Sequence, residues 1–225
     1  ENRVVLNLGG IANITWLPSS RDPDDVVAFD TGPANSLIDG AISILSEGRE
    51  RMDRDGERAR RGSVDEELLR TLLDDSYLAQ APPKSTGRER YGMAAAELLV
   101  SASRDAKRKP DDLIATLVAF TAESIALACR DLLPREDPAA KNIHRLVVGG
   151  GGAANPALLD ALRAALPGVA VDRFDELGVP AQAAEAMAFS LMGRNALLGI
   201  PNHLPRCTGA RSAGVLGEIT PGTSR

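Results

Sequence analysis

Aromatic side chains are scarce in this chain. Phe, Tyr and Trp make up 3% of its 225 residues, so Leu, Val, Ile and Ala have to fill the core. A basic excess is missing too: 26 Lys and Arg stand against 31 Asp and Glu, a net charge of -5. Binding a phosphate backbone leaves a basic excess or stripe, so a nucleic-acid partner is excluded. The two cysteines, Cys129 and Cys207, have no metal-ligand spacing and read as free thiols in a reducing cytoplasm. The two histidines, His144 and His203, stand alone, and no metal site is expected. No apolar run approaches the roughly 20 residues of a membrane span. A signal peptide and an initiator Met are also missing. Glu1-Asn2-Arg3 leads straight into a strand, so a cut from a longer chain is expected.

What is there is an ordinary globular composition, 44% hydrophobic and 25% charged. Residues 3–8 and 11–17 read as strands around Gly9-Gly10, which makes a hairpin. Residues 26–29 read as a third strand ending at Asp30. Leu37, Ile38, Ala41, Ile42 and Leu45 recur with helical period. Ser63-Val64-Asp65-Glu66 is a capping-box pattern before Leu68, Leu69, Leu72 and Leu73. Pro110 sits where a first helical turn would begin, and Leu113 to Leu132 is the best helical stripe in the chain. A strand over 144–148 runs into four glycines. Asn155-Pro156 opens a helix, residues 169–172 form a short strand, and Pro180 opens a last helix to about Leu198. Three meandering strands followed by β-α-β-α predict an α/β fold: a mixed sheet covered by helices, in one domain with a helical insertion over about 48–109.

Several short elements can carry chemistry. The Gly9-Gly10 turn, with Asn7 and Asn13 beside it, lets backbone N–H groups approach an anion; a plain tight turn uses the same residues. Asp30 stands at a strand end before a glycine turn and a helix start. It suits a general base or a Mg²⁺-bound water, or else Asp30 or Asn35 caps the helix. The run Gly149–Gly152 lies between strand and helix and matches neither common glycine-rich phosphate motif. Either a nucleotide or a structural turn accounts for it. Lys84 and Arg88, with Ser85 and Thr86, can bind an anionic group or simply turn the chain into a helix.

Together these elements are far more specific. LNLGGIANITWLP, FDTGPANSLIDG, DRDG at Asp53–Gly56, PPKSTGRERYG, VVGGGGAANP, EAMAFSLMG and a late TGA follow in order with short gaps. The series resembles the anhydro-N-acetylmuramic acid kinase family, of the hexokinase–heat-shock-protein–actin superfamily. That resemblance implies two RNase H-like lobes with ATP and Mg²⁺ in the cleft, residues 1–225 being the second lobe and the N-terminal lobe being absent. It implies nucleotide contacts at Gly9, Gly10, Asn13, Gly150, Gly151, Gly152 and Asn155, and Asp30 as catalytic base. Thr31, Gly32, Lys84, Ser85 and Thr86 become candidate substrate or phosphate contacts. The implied reaction opens the 1,6-anhydro bond with water and phosphorylates the freed 6-oxygen, in cytoplasmic recycling of cell-wall sugar. A homodimer is implied as well.

Departures accompany the match. The family's N-terminal Gly-Thr-Ser-x-Asp-Gly loop is not in this sequence. Ala34 stands where Gly is frequent, and Ala154 where His is. One lobe leaves the cleft with one wall, so the chain is expected to be inactive alone. A non-catalytic nucleotide-binding module, or a superfamily kinase with another acceptor, are the competing readings.

Overall fold

The structure is a computed structural model that describes residues 1–133, 143–178, 180, 183–220 and 222. Strand β1, Arg3–Leu8, turns at Gly9-Gly10 into β2, Ile11–Leu17. Strand β3, Val27–Pro33, pairs antiparallel with β2. The sheet is completed by β4, Arg145–Gly149, parallel to β1, and β5, Ala170–Arg173, parallel to β4. The order is β3-β2-β1-β4-β5. It is the mixed sheet that the strand and helix order leads one to expect, in keeping with the RNase H-like lobe that the resemblance implies.

Period-two alternation decides the faces of this sheet. Val4, Leu6 and Leu8 of β1, Ala12, Ile14 and Trp16 of β2, and Val27 and Phe29 of β3 are buried on one side. They join one core with α1, Asn35–Leu45, with α6, Pro110–Leu127, and with α7, Pro156–Ala165. Burying each Leu or Ile here contributes about 1.5–3 kcal/mol relative to exposure. Trp16 is a core residue, as its place at a strand end suggests. Val5, Asn7, Asn13 and Asp30 lie on the other, half-buried face.

Between α1 and α6 the chain forms α2, Glu57–Arg61, α3, Glu66–Leu73, α4, Arg88–Tyr91, and α5, Met93–Asp105. Helix α5 packs on α1, while α2 and α3 pack on α6. The cap of α3 is Asp65, which accepts from the Glu67 and Leu68 N–H groups, rather than the expected Ser63. The Asp65 side chain reaches those donors because the helix begins only at Glu66.

Helix α6 corrects the membrane reading by composition. Pro110–Leu132 is long and apolar enough to cross a bilayer, but most of it is buried inside this domain. It is the central core helix, flanked by α1, α2, α3 and α7. Helix α8, Ala184–Leu197, is shorter than expected; residues 181 and 182 of its expected start lie outside the described residues. The tail adds a one-turn helix, α9, Pro205–Thr208, against β3.

Candidate functional site

The carboxyl ends of β1, β3 and β4 lie on one edge of the sheet. Register places Asp30 opposite Asn13, Asn13 opposite Asn7, and Asn7 opposite Gly149. These residues form one row across four strands, on the half-buried face. A polar row at strand carboxyl ends is where open α/β sheets collect ligands. Residues far apart in sequence thus share one rim.

Asp30 sits inside β3, which continues to Pro33 instead of ending at the aspartate. Asp30 and Gly32 pair with the adjacent residues Asn13 and Ala12, so Thr31 is the extra residue of a bulge. The bulge lets the strand bend after delivering the carboxylate. Asp30 Oδ2 accepts from Ser85 Oγ at 2.9 Å and from the Thr86 N–H at 3.0 Å. Its backbone N–H donates to the Lys84 carbonyl at 3.3 Å, and its carbonyl accepts from Tyr77 Oη at 2.8 Å. Among the described residues no hydrogen bond reaches Oδ1. One carboxylate oxygen is held and the other is open, which suits a proton acceptor.

Neither Asp30 nor Asn35 caps α1. The N-cap position is Ala34, with no side-chain hydrogen bond. Asn35 Nδ2 instead donates to the carbonyls of Leu8 at 3.2 Å and Gly9 at 2.8 Å. Three backbone N–H groups at the start of α1 also reach the turn: Ala34 and Ser36 donate to Gly10 O, and Asn35 to Gly9 O. The carbonyls of the glycine hairpin are thereby engaged from behind. Its N–H groups are the donors left for an anion.

Beside the hairpin a cleft of about 800 Å³ opens, lined by Val5, Asn7 and Gly9, by Gly149–Gly151, and by Phe174, Pro180, Ala184, Glu185 and Ala188 among others. Gly150 and Gly151 are on its wall. Gly152 is not; it is buried against Leu8 and Asn35. Asn155 is not there either, because its Oδ1 caps α7 through the Ala157 and Leu158 N–H groups. Of the Gly9-Gly10 turn Gly9 lines the cleft and Gly10 does not, and Asn13 lies farther along the row. Two lining residues carry signals weak in sequence. The Phe174 ring packs on Gly149, where a methyl group would lie 2.6 Å from it, and Glu185 faces the cleft from the first turn of α8. A lone Phe after a short strand and a Glu in a first helical turn look structural until the fold juxtaposes them.

The loop over 84–88 divides its labour. Lys84 does not reach outward: its Nζ donates to the carbonyls of Tyr77 and Leu78, each at 3.0 Å, and lies 4.4 Å from the Tyr77 ring centroid. Burial lowers its pKa to about 8, against the pull of Asp75 and Asp30. Thr31 is 1% exposed, and its hydroxyl donates to the Ala12 carbonyl, so its side chain serves the bulge. Gly32 is buried beside Leu78 and Ser124. Ser85 and Thr86 are the members of the set that hydrogen-bond the Asp30 carboxylate. The DRDG element is structural: Asp53 accepts from the Arg58 and Ala59 N–H groups, and Gly56 packs on Ala157 and Asn155.

The model of the family described as anhydro-N-acetylmuramic acid kinase matches residues 1–222. The chain belongs to that family. An anhydro-N-acetylmuramic acid kinase of Streptomyces coelicolor is 46% identical over 217 residues, covering 96% of this chain and 52% of the relative. One from Acidithiobacillus ferrooxidans is 43% identical over 223 residues, covering 99% and 54%. The chain thus spans about half the length of the curated relatives it matches. A solved activator of the 2-hydroxyisocaproyl-CoA dehydratase from Clostridium difficile, with bound ADPNP, covers 78% of this chain and 55% of its own at 16% identity and a TM-score of 0.46. That likeness is too loose to bear on the site.

Proposed function

We propose that this family member is the nucleotide-binding half of a kinase that uses ATP to phosphorylate 1,6-anhydro-N-acetylmuramic acid. The observation that carries the reading is the row Asp30–Asn13–Asn7–Gly149, which links a half-held carboxylate to a glycine hairpin and a cleft. Residues 1–225 form the second lobe, with the helices over 48–109 as its insertion. The relatives' additional length supplies the facing lobe. The open apolar side chains of α8, such as Phe189 and Leu197, are in keeping with a neighbouring surface over them.

ATP lies along the row. Its base enters the cleft against Phe174, where an aromatic face favours stacking. Asn7, Gly9 and the Gly150–Gly151 turn then border the ribose and the first phosphates, and the hairpin N–H groups meet the phosphate tail. The sugar lies at the Asp30 end. The open Oδ1 of Asp30 accepts a proton from water as that water attacks the anomeric carbon. The bond from that carbon to the 6-oxygen breaks, and the 6-oxygen takes the γ-phosphoryl group while ADP leaves with the bridging oxygen. Ser85 and Thr86 keep the carboxylate aimed; Lys84 holds the loop behind it.

The donors here fit Mg²⁺ in the way usual for phosphoryl transfer, in which few protein carboxylates and several phosphate and water oxygens hold the ion. Asp30 is the carboxylate of the row, and among the described residues no group of three His, Cys, Asp or Glu gathers to hold a metal. Bound there, Mg²⁺ would neutralise phosphate charge.

A coupled ATP-turnover assay with the anhydro sugar and Mg²⁺ tests this reading. It is run on the 225-residue chain and on a protein carrying an upstream half as in the relatives. Turnover by the longer protein and none by the shorter is expected. A folded longer protein that turns over no ATP with this sugar sinks the assignment.

A further inference from the structure

Arg88 begins helix α4, at the far end of the loop that holds Asp30. Its guanidinium lies against the glycine hairpin: a methyl group on Gly10 would be 3.6 Å from Arg88 Nε and 3.7 Å from a terminal nitrogen. The carbonyls of that hairpin are occupied by the start of α1, so the guanidinium finds no acceptor in them. Neighbouring cations are engaged. Arg90 is paired with Asp75, and Lys84 with two carbonyls. Arg88 is exposed, and among the described residues no carboxylate pairs with it. A planar fork of donors is thus parked beside a turn suited to phosphate, with no carboxylate among the described residues to hold it there.

Position narrows the ligand. The cleft at Phe174 and Gly149–Gly151 lies on one side of the hairpin, toward β4 and β5. Asp30 lies on the other, on β3. A triphosphate with its base in the cleft and its end toward Asp30 passes the hairpin last at its γ-phosphoryl group. We propose that Arg88 is a catalytic residue that binds the γ-phosphoryl oxygens and stabilises them during transfer. This rests on the kinase reading of the same cleft. The bond from the γ-phosphorus to the β,γ-bridging oxygen breaks, its electron pair leaves on ADP, and a bond to the sugar 6-oxygen forms. Arg88 stays protonated and gives up no proton; its fork matches the charge spread over the equatorial oxygens. The same loop carries Ser85 and Thr86, so one segment positions both the phosphoryl group and the base.

The test uses the protein with its upstream half, with Arg88→Ala and Arg88→Lys. Arg88→Ala should lower kcat by about 10²-fold or more, as removal of such an arginine does elsewhere. It should weaken binding of a non-hydrolysable ATP analogue about 10-fold while leaving ADP affinity and melting temperature unchanged. Arg88→Lys should restore only a small part of kcat, since an ammonium group lacks the fork. A kcat within about threefold of the parent, or equal losses for ADP and the triphosphate analogue, overturns the assignment. Absence of turnover in the parent sinks the kinase reading alone, because the comparison of ADP with the analogue needs no sugar and still decides Arg88. A parent that binds neither nucleotide overturns both.

Discussion

Thr86 donates its backbone N–H to Asp30 Oδ2 at 3.0 Å, although the two are 56 residues apart in sequence. Ser85 adds a second donor to the same oxygen at 2.9 Å. If Asp30 is the base, Asp30→Asn in the longer protein should reduce turnover about 10²–10⁴-fold with ATP affinity preserved. Ser85→Ala should lower it about 10-fold or less, because the Thr86 N–H remains. Steady-state kinetics and nucleotide titration decide this. Near-parental turnover by Asp30→Asn removes it as base.

The glycine run separates shape from binding. Gly150 has φ +78°, and a Cβ there would lie 2.5 Å from Asn7 Oδ1 and 2.7 Å from the Leu8 carbonyl. Gly150→Ala should therefore destabilise the fold by about 1–3 kcal/mol. A Cβ on Gly151 would meet nothing within 4 Å, yet Gly151 lines the cleft. Gly151→Val should leave urea unfolding unchanged and weaken ATP binding about 10-fold. Unchanged affinity would make the run a structural turn.

Asp39 in α1 offers a pH prediction. Burial, and then the charge of Asp53, raise its pKa from 3.8 to about 6. The folded state therefore binds the proton more tightly than the unfolded state does. Stability falls as pH rises from about 4 to 6, and the ionised group penalises the fold above that. Asp39→Asn should raise stability at pH 7 by about 1 kcal/mol, since solvent screens this half-buried group, and the gain should vanish below pH 4. Urea midpoints at both values check it. A lower midpoint for the variant at pH 7 would mean that the charge is stabilised in the native state.

Much of the architecture was legible from local pattern. Alternation marked β1 and β2, and helical period marked α1 and the Pro110 helix, because each pattern reports which side of one element avoids water. The Asn155 cap was readable, since its donors lie within the next three residues. The length of β3 was not: its bulge at Thr31 arises from pairing with β2, and Gly32-Pro33 reads locally as a turn. The apolar stretch ending at Leu132 shows the same limit, because composition cannot tell the centre of a domain from a bilayer.

The residue types of the site were also in the sequence: an aspartate after an apolar strand, a Gly-Gly turn, a glycine run and a KSTGR loop. Their division of labour was decided by the tertiary structure. Lys84 and Arg88 differ little as letters in one loop. Folding buries the Lys84 ammonium between two carbonyls and an aromatic ring, and leaves the Arg88 guanidinium beside Gly10. A side chain's charge belongs to the sequence, but its partners are set by long-range pairing, here the register that brings β3, β1 and β4 to one edge.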